Sequence, residues 1–223
     1  MIVAIDGPAA SGKSTVARAV AMRLGAHYLD TGAMYRSIAL AALEGGIPLD
    51  SEEEVAALAR RSVIEFVHAK DAPIPTATLL DGKDVTSAIR TPTVDEAVSS
   101  VARLPRVRDA MVAQQRRIAQ RADAIVLEGR DIGTVVFPGA EVKVFLTASP
   151  QERSRRRYSE MAEHGHEVAE ETVFTNIERR DHADSSRETA PLAPAPDAVI
   201  VDTTGMSVTE VVDEVVRLVE RVC

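Results

Sequence analysis

The stretch from Ile2 to Leu24 limits what this chain can fold into more than any other. Ile2-Val3-Ala4-Ile5 is a short apolar run rich in β-branched residues, and Gly7-Pro8-Ala9-Ala10-Ser11-Gly12-Lys13-Ser14 follows it, matching G-x-x-x-x-G-K-[ST] without a mismatch. Glycine lets the backbone turn with positive φ and approach a ligand closely, so successive N–H groups converge on phosphate oxygens. Lys13 adds a mobile positive charge. The Ser14 hydroxyl can ligate Mg²⁺ at the start of a helix whose dipole favours anions. Val16, Val20 and Leu24 then recur at helical spacing, and Gly25 stops the helix. A strand, a phosphate-binding loop and a helix are expected in that order.

At 223 residues the chain can form one α/β domain with a modest insertion. Aromatic residues make up 3% and Trp is absent, so the core falls to Val, Leu, Ile and Ala, which suits a parallel sheet covered by helices. The same shortage removes a stacking surface for single-stranded nucleic acid. A net charge of −8 argues against a general polyanion binder, while local arginine clusters suit a small phosphorylated ligand in a cleft. We therefore expect no nucleic-acid partner. No stretch approaches the ~18 apolar residues of a membrane span, and the first apolar run does not resemble a signal peptide, so no membrane and a cytoplasmic location are expected. Cys223 is the single cysteine, which leaves neither a disulfide framework nor a thiolate metal site.

Further along, His27-Tyr28-Leu29 reads as a short strand and Asp30-Thr31-Gly32 as the start of a helix running to Gly45-Gly46. Asp50 or Ser51 can cap a helix through Arg60, with Glu52, Glu53 and Glu54 in its first turn. The region from about 62 to 90 changes character. Val63 to Val67 is strand-like, Asp71 to Pro75 a turn, and Thr76 to Leu80 and Lys83 to Thr86 flank Asp81-Gly82, a strong hairpin signal. Helical patterns resume at Thr91, and Pro105 opens a long helix carrying Val107, Met111 and Ile118. Ala124 to Leu127 and Val142 to Leu146 are buried-strand candidates. Ala148 to His164 is a basic helix, and Glu170 to about Asp181 another. A proline-rich connector, a strand from Ala198 to Val201 and a helix introduced by the capping-box pattern Ser207-Val208-Thr209-Glu210 complete the chain. Strands alternating with helices predict a parallel sheet whose ligands gather at the carboxyl ends of its strands.

Four segments together resemble bacterial cytidylate kinases, members of the P-loop nucleoside monophosphate kinases. They are the loop from Gly7 to Ser14, Leu29-Asp30-Thr31-Gly32-Ala33-Met34-Tyr35-Arg36, the run from Glu128-Gly129-Arg130-Asp131 to Phe137-Pro138, and Arg180-Asp181 through Ala190-Pro191-Leu192. The resemblance covers essentially the whole chain and implies a single kinase domain over residues 1–223. It implies a three-layer α/β fold with a central parallel sheet of about five strands and a helical lid at about 150–170. It also implies an acceptor-binding lobe at roughly 31–98 holding the antiparallel β insertion. The implied reaction is transfer of the γ-phosphoryl group of ATP to CMP or dCMP, with Mg²⁺ held through Ser14 and the ATP phosphates. A monomer is the default expectation.

The resemblance also assigns residues. Gly7, Pro8, Ala9, Ala10, Ser11, Gly12, Lys13, Ser14, Thr15 and Arg156 are implied to bind ATP, and Lys13, Arg130, Arg153 and Arg157 to act on the transferred group. Thr31 and Arg36 are implied on the acceptor, with Arg36, Arg130 and Arg187 gripping its phosphate, because a guanidinium offers charge and a planar fork for two oxygens. Asp131, Ser99 and Arg108 are implied to read cytosine, whose amino group suits a carboxylate and whose ring acceptors suit a hydroxyl or guanidinium. Arg180 and Asp184, four apart on one helix face, match the family's ribose contacts. Arg155 is expected to be solvated. His164 and His166 have no acidic or cysteine partners at ligand spacing, so a metal site there is not expected. Asp123, Glu128 and Asp202 stand near strand ends, and one of them is available to hold a Mg²⁺-bound water; the sequence does not choose among them. Two other readings stay open at this point: a kinase for another acceptor, and a nucleotide-dependent switch. The second is disfavoured because no N-K-x-D motif occurs.

Overall fold

The computed structural model describes residues 1–70, 72–163 and 168–222, so Asp71, His164, His166 and Cys223 lie outside the described residues. The chain runs β1 (Ile2–Asp6), α1 (Lys13–Leu24), β2 (His27–Asp30), α2 (Thr31–Glu44), α3 (Glu52–Arg61), β3 (Ile64–His68), β4 (Pro75–Leu80) and β5 (Lys83–Asp84). It continues through α4 (Pro92–Ala102), α5 (Pro105–Ala119), β6 (Ile125–Gly129), β7 (Val142–Thr147), α6 (Pro150–Glu163), α7 (Glu170–Ser185), β8 (Val199–Asp202) and α8 (Val208–Glu220).

The main sheet has five strands in the order β2-β6-β1-β7-β8, every neighbouring pair parallel. Alternation along the strands divides the core in two. Val3, Ile5, Val126, Val144 and Leu146 pack with Val16 and Val20 of α1 and Val211 and Val215 of α8. Ala4, Leu29, Ile125 and Leu127 face the other way, onto Met34, Ile38, Val55 and Met111 from α2, α3 and α5. A strand covered on both faces needs apolar residues at successive positions, which is why β1 and β6 read as continuous hydrophobic runs. With β1 central, the loop that follows it opens at the middle of the sheet's carboxyl edge.

The smaller sheet is antiparallel, in the order β3-β4-β5. Its second hairpin turns at Asp81 (φ 51°) and Gly82 (φ 80°), the two positive φ values that an Asp-Gly turn supplies. Lys83 to Thr86 is expected as its last strand, yet β5 ends at Asp84. The Thr86 hydroxyl accepts from Thr78 N at 2.9 Å and donates to Asp84 Oδ1 at 2.6 Å, so side-chain bonds replace the ladder. The capping box of α8 forms as its sequence predicts, with Ser207 and Glu210 bonded reciprocally.

Two further features differ from the sequence reading. α7 extends to Ser185, one turn beyond the expected end near Asp181. Residues Ile132–Val136 form a π-helical turn where Gly133-Thr134-Val135-Val136 carries no helical signal. Tertiary contact imposes that turn: the Asp6 carboxylate accepts from Ile132 N and Gly133 N, each at 2.8 Å.

Candidate active site

The phosphate-binding loop is shaped by its neighbours as much as by its glycines. Gly7 sits at φ 153° with its Cα turned onto the Leu146 carbonyl of β7, where a Cβ has no room. Gly12, at φ 89°, stands at the N-cap of α1 and offers no side-chain bond, which leaves the first-turn N–H groups of Lys13, Ser14 and Thr15 directed at the loop. Ala10 occupies the left-handed region at φ 57°, a conformation costing an L-residue roughly 1–2 kcal/mol. Ala10→Gly is accordingly expected to stabilise the fold by about 0.5–1 kcal/mol once the greater unfolded-state freedom of glycine is subtracted, read as a small rise in melting temperature. An unchanged or lower melting temperature would count against strain at this position.

The Lys13 ammonium is buried and donates to the Pro8 carbonyl at 2.8 Å. Burial lowers its pKa to about 7, with Arg130 adding to the fall and Glu128 opposing it. Ser11 Oγ is buried inside the loop and has no hydrogen-bond partner, as expected of a group awaiting a ligand oxygen. Ser14 Oγ donates to Glu128 Oε2 at 2.8 Å, and Tyr28 OH donates to Glu128 Oε1. Burial and the neighbouring Asp30 raise the pKa of Glu128.

Of the three carboxylates left open by the sequence, Glu128 is the one bonded to Ser14. The parallel register sets Ile5 beside Glu128 and brings Glu128 behind the Ser14 hydroxyl. Asp123 lies at the opposite end of the sheet, where its carbonyl accepts from the N-terminus, and Asp202 is exposed and bonded to Thr204. Among the described residues no group of three His, Cys, Asp or Glu could hold a metal unaided. The donor set therefore fits a cation brought in with phosphate oxygens, for which one hydroxyl and one nearby carboxylate suffice.

Arg130 and Asp131 follow β6 directly. Asp131 pairs with Arg108 of α5, both nearly inaccessible, and the Arg108 guanidinium lies 5.6 Å from the centre of the Tyr35 ring. Ser99 is half-buried on α4. Asp184 accepts from Arg130 Nε at 2.8 Å and from Arg187 Nη2 at 2.7 Å, and these guanidiniums outweigh burial to hold its carboxyl below the ordinary range.

Arg180 and Asp184, four apart on α7, do not bond to each other. Arg180 Nη1 instead donates to Asp95 Oδ1 at 3.3 Å, because Arg130 and Arg187 already take both Asp184 oxygens. Thr31 spends its hydroxyl on the Glu128 carbonyl at 2.6 Å, tying α2 to β6, and is buried. The basic helix α6 distributes its arginines in separate directions. Arg153 pairs with Asp181 and donates to the Ala9 carbonyl at 3.3 Å; Arg156 reaches the Ser11 carbonyl at 3.4 Å and Thr203 Oγ1 at 2.9 Å. Arg157 reaches across to Asp95 Oδ2 at 2.7 Å, and Arg155 is solvated beside Glu152, as expected.

Three residues at the site escape the sequence reading. Asp6 anchors the π-turn and, through burial, has its pKa raised to about 6; its place directly before the loop is the one clue. Tyr28 holds Glu128, and nothing in its short strand marks it. Asp95 collects Arg36, Arg157 and Arg180 from three different helices, which no local pattern announces.

A phosphate-binding loop after the central strand of a parallel sheet, with arginines from several elements converging beside it, defines a P-loop protein of the α/β class. The family model described as cytidylate kinase matches residues 3–221, and the chain belongs to that family. A cytidylate kinase of Bacillus subtilis (strain 168) is 47% identical over 219 residues, which cover 98% of this chain and 96% of that one. A bifunctional pantoate ligase/cytidylate kinase of Synechococcus sp. (strain JA-3-3Ab) is 51% identical over 217 residues. That match takes in 97% of this chain, which spans only 40% of the bifunctional protein's length. Among solved structures, an uncharacterized protein from Eubacterium ventriosum ATCC 27560 shares the fold with a TM-score of 0.54 at 10% identity, covering 99% of this chain and 98% of that one. No helix among the described residues is long and apolar enough to cross a membrane.

Proposed function

We propose that this chain transfers the γ-phosphoryl group of ATP to CMP or dCMP, giving ADP and CDP or dCDP. The observation that carries this reading is the family match over residues 3–221. On this reading the residues from Gly7 to Thr15 cradle the donor phosphates, with Arg156 beside the loop, and Lys13 follows the charge that moves onto the β–γ bridge. Mg²⁺, held by Ser14 with Glu128 positioning that hydroxyl, would neutralise charge on the β- and γ-oxygens.

Arg36, Arg130 and Arg187 hold the acceptor phosphate, Arg180 and Asp184 its ribose, and Thr31 supports the same pocket from the start of α2. Arg153 and Arg157 come from α6, the lid on this reading, and stabilise the equatorial oxygens of the transferred group. An acceptor phosphate oxygen bonds to the γ-phosphorus as the bond to the β–γ bridging oxygen breaks, and ADP leaves. That oxygen is already ionised, so no side chain need serve as base or nucleophile. On the same reading the chain works as a monomer in the cytoplasm, where such nucleotides are met, and serves pyrimidine nucleotide supply.

Asp131, Arg108 and Ser99 read the base. Uracil would set its O4 acceptor against the Asp131 carboxylate, repulsion replacing a hydrogen bond. Asp131→Asn keeps an oxygen for the buried Arg108 and puts an amide donor where uracil has an acceptor. It is expected to lower kcat/KM for CMP about tenfold to a hundredfold and to narrow the preference for CMP over UMP by a similar factor. Unchanged discrimination would remove Asp131 from base reading. The reading as a whole is tested by a coupled assay with ATP, Mg²⁺ and a panel of nucleoside monophosphates, where preference for AMP or GMP overturns it.

A further inference from the structure

Asp95 stands in the first turn of α4, facing inward one helical turn before Ser99. Its two oxygens hold guanidiniums from three separate elements. Oδ1 accepts from Arg36 of α2 and from Arg180 of α7, the latter at 3.3 Å, while Oδ2 accepts from Arg157 of α6 at 2.7 Å. Arg36 is further steadied on the Ile89 carbonyl at 3.2 Å, and Arg157 on Glu160 Oε2 at 2.9 Å. Burial works to raise the Asp95 pKa, and Arg180, Arg36 and Arg157 outweigh it, holding it at about 2. The carboxylate is therefore ionised at any pH where the protein would work.

Three guanidiniums converging on one small oxyanion is what a phosphate group also asks of a protein. These three arginines are also ones that the proposed function assigns to acceptor and transferred group. With Glu160 beside Arg157, three guanidiniums face two carboxylates, so the cluster keeps a net positive charge that a phosphate can answer. A carboxylate with a purely structural task would not draw on an arginine from each of three helices that border the substrate cleft.

We propose that Asp95 is a positioning residue that acts as a stand-in anion, gathering Arg36, Arg157 and Arg180 before the substrates arrive and yielding them to the acceptor's phosphate and ribose and to the transferred group. The proposal rests on the acceptor site argued above. It has two consequences. The arginines are pre-assembled against their mutual repulsion, and a free dianion must compete with Asp95 for them, so small inorganic anions are held weakly.

The test uses Asp95→Asn, which retains the shape and one acceptor oxygen but not the charge, and Glu96→Gln, which removes one charge from the exposed neighbouring position. Inorganic sulfate binding is measured by calorimetry without nucleotide, and CMP and ATP kinetics are measured separately. Asp95→Asn is expected to bind sulfate about tenfold more tightly and to lower KM for CMP severalfold. Glu96→Gln is expected to match wild type in all three. Unchanged or weaker sulfate binding in Asp95→Asn overturns the proposal, as does an equal gain in Glu96→Gln, which would reduce the effect to net charge. Asp95→Ser serves as a second variant read in the same way, and loss of the folded state in both would make Asp95 a structural clasp and also overturn it. Sulfate binding needs no turnover, so the two claims fail separately. A wild type that prefers another acceptor defeats the functional reading alone, and CMP turnover without a sulfate gain defeats the stand-in alone.

Discussion

Lys13→Met is expected to lower turnover about a thousandfold while leaving the fold intact. The substitution keeps a buried unbranched side chain of similar length and removes the one ammonium in the loop, so packing is largely preserved and phosphate charge goes unanswered. The magnitude follows from what a single well-placed donor contributes to a phosphoryl-transfer transition state. Circular dichroism and melting should match wild type, and turnover within tenfold of wild type would show that the loop does not cradle the donor.

The electrostatics of Lys13 supply a second readout of the same prediction. With its pKa lowered to about 7, the group is mostly neutral at pH 8 in the ligand-free protein. Triphosphate oxygens favour the ammonium and raise that pKa, so ATP binding at pH 8 should take up roughly one proton. Below pH 6 the lysine is already charged and the uptake should vanish. Calorimetry of ATP binding in two buffers of different ionisation enthalpy measures it, and Lys13→Met should abolish the difference between buffers.

Gly7→Ala has the largest expected effect on stability. A Cβ at this position would overlap the Leu146 carbonyl, and φ 153° is itself strained for any residue with a side chain. The carbonyl cannot retreat, because β7 is held against β1 through Asp6 and Phe145 and against β8 through Leu146 and Val201. We expect a loss of about 3 kcal/mol or more, or close to 10 °C in melting temperature for a chain of this size. Gly139→Ala is the control, since an added Cβ there meets nothing within 4 Å and should leave melting unchanged. A Gly7→Ala protein that melts with wild type would mean that loop and strand can separate without cost.

Local chemistry accounts for what the sequence made legible. Lys13 and Ser14 are readable because the loop is contiguous and its spacing is dictated by one phosphate chain. The Asp81-Gly82 turn and the Ser207–Glu210 box are readable because each closes within four residues. The parallel sheet is readable from apolar runs alternating with helical periods, and its count of five strands is what the resemblance to a known family implied.

Assignments that required the fold involve partners far apart in the chain. Glu128 could not be separated from Asp123 and Asp202 until the β1–β6 register set it 2.8 Å from the Ser14 hydroxyl, 114 positions away. Arg180 and Asp184 look paired by spacing, yet their neighbours compete for them: Asp184 goes to Arg130 and Arg187, and Arg180 to Asp95. The π-turn after Asp131 exists because a carboxylate from the first strand caps it. Hydrogen bonds within a turn are governed by residue order, so the sequence determined the phosphate loop, the hairpin and the alternation of strand and helix. Which charge meets which is governed by distance in space, so only the tertiary structure decided the carboxylate behind Ser14, the partners of each arginine and the place of Asp95 among them.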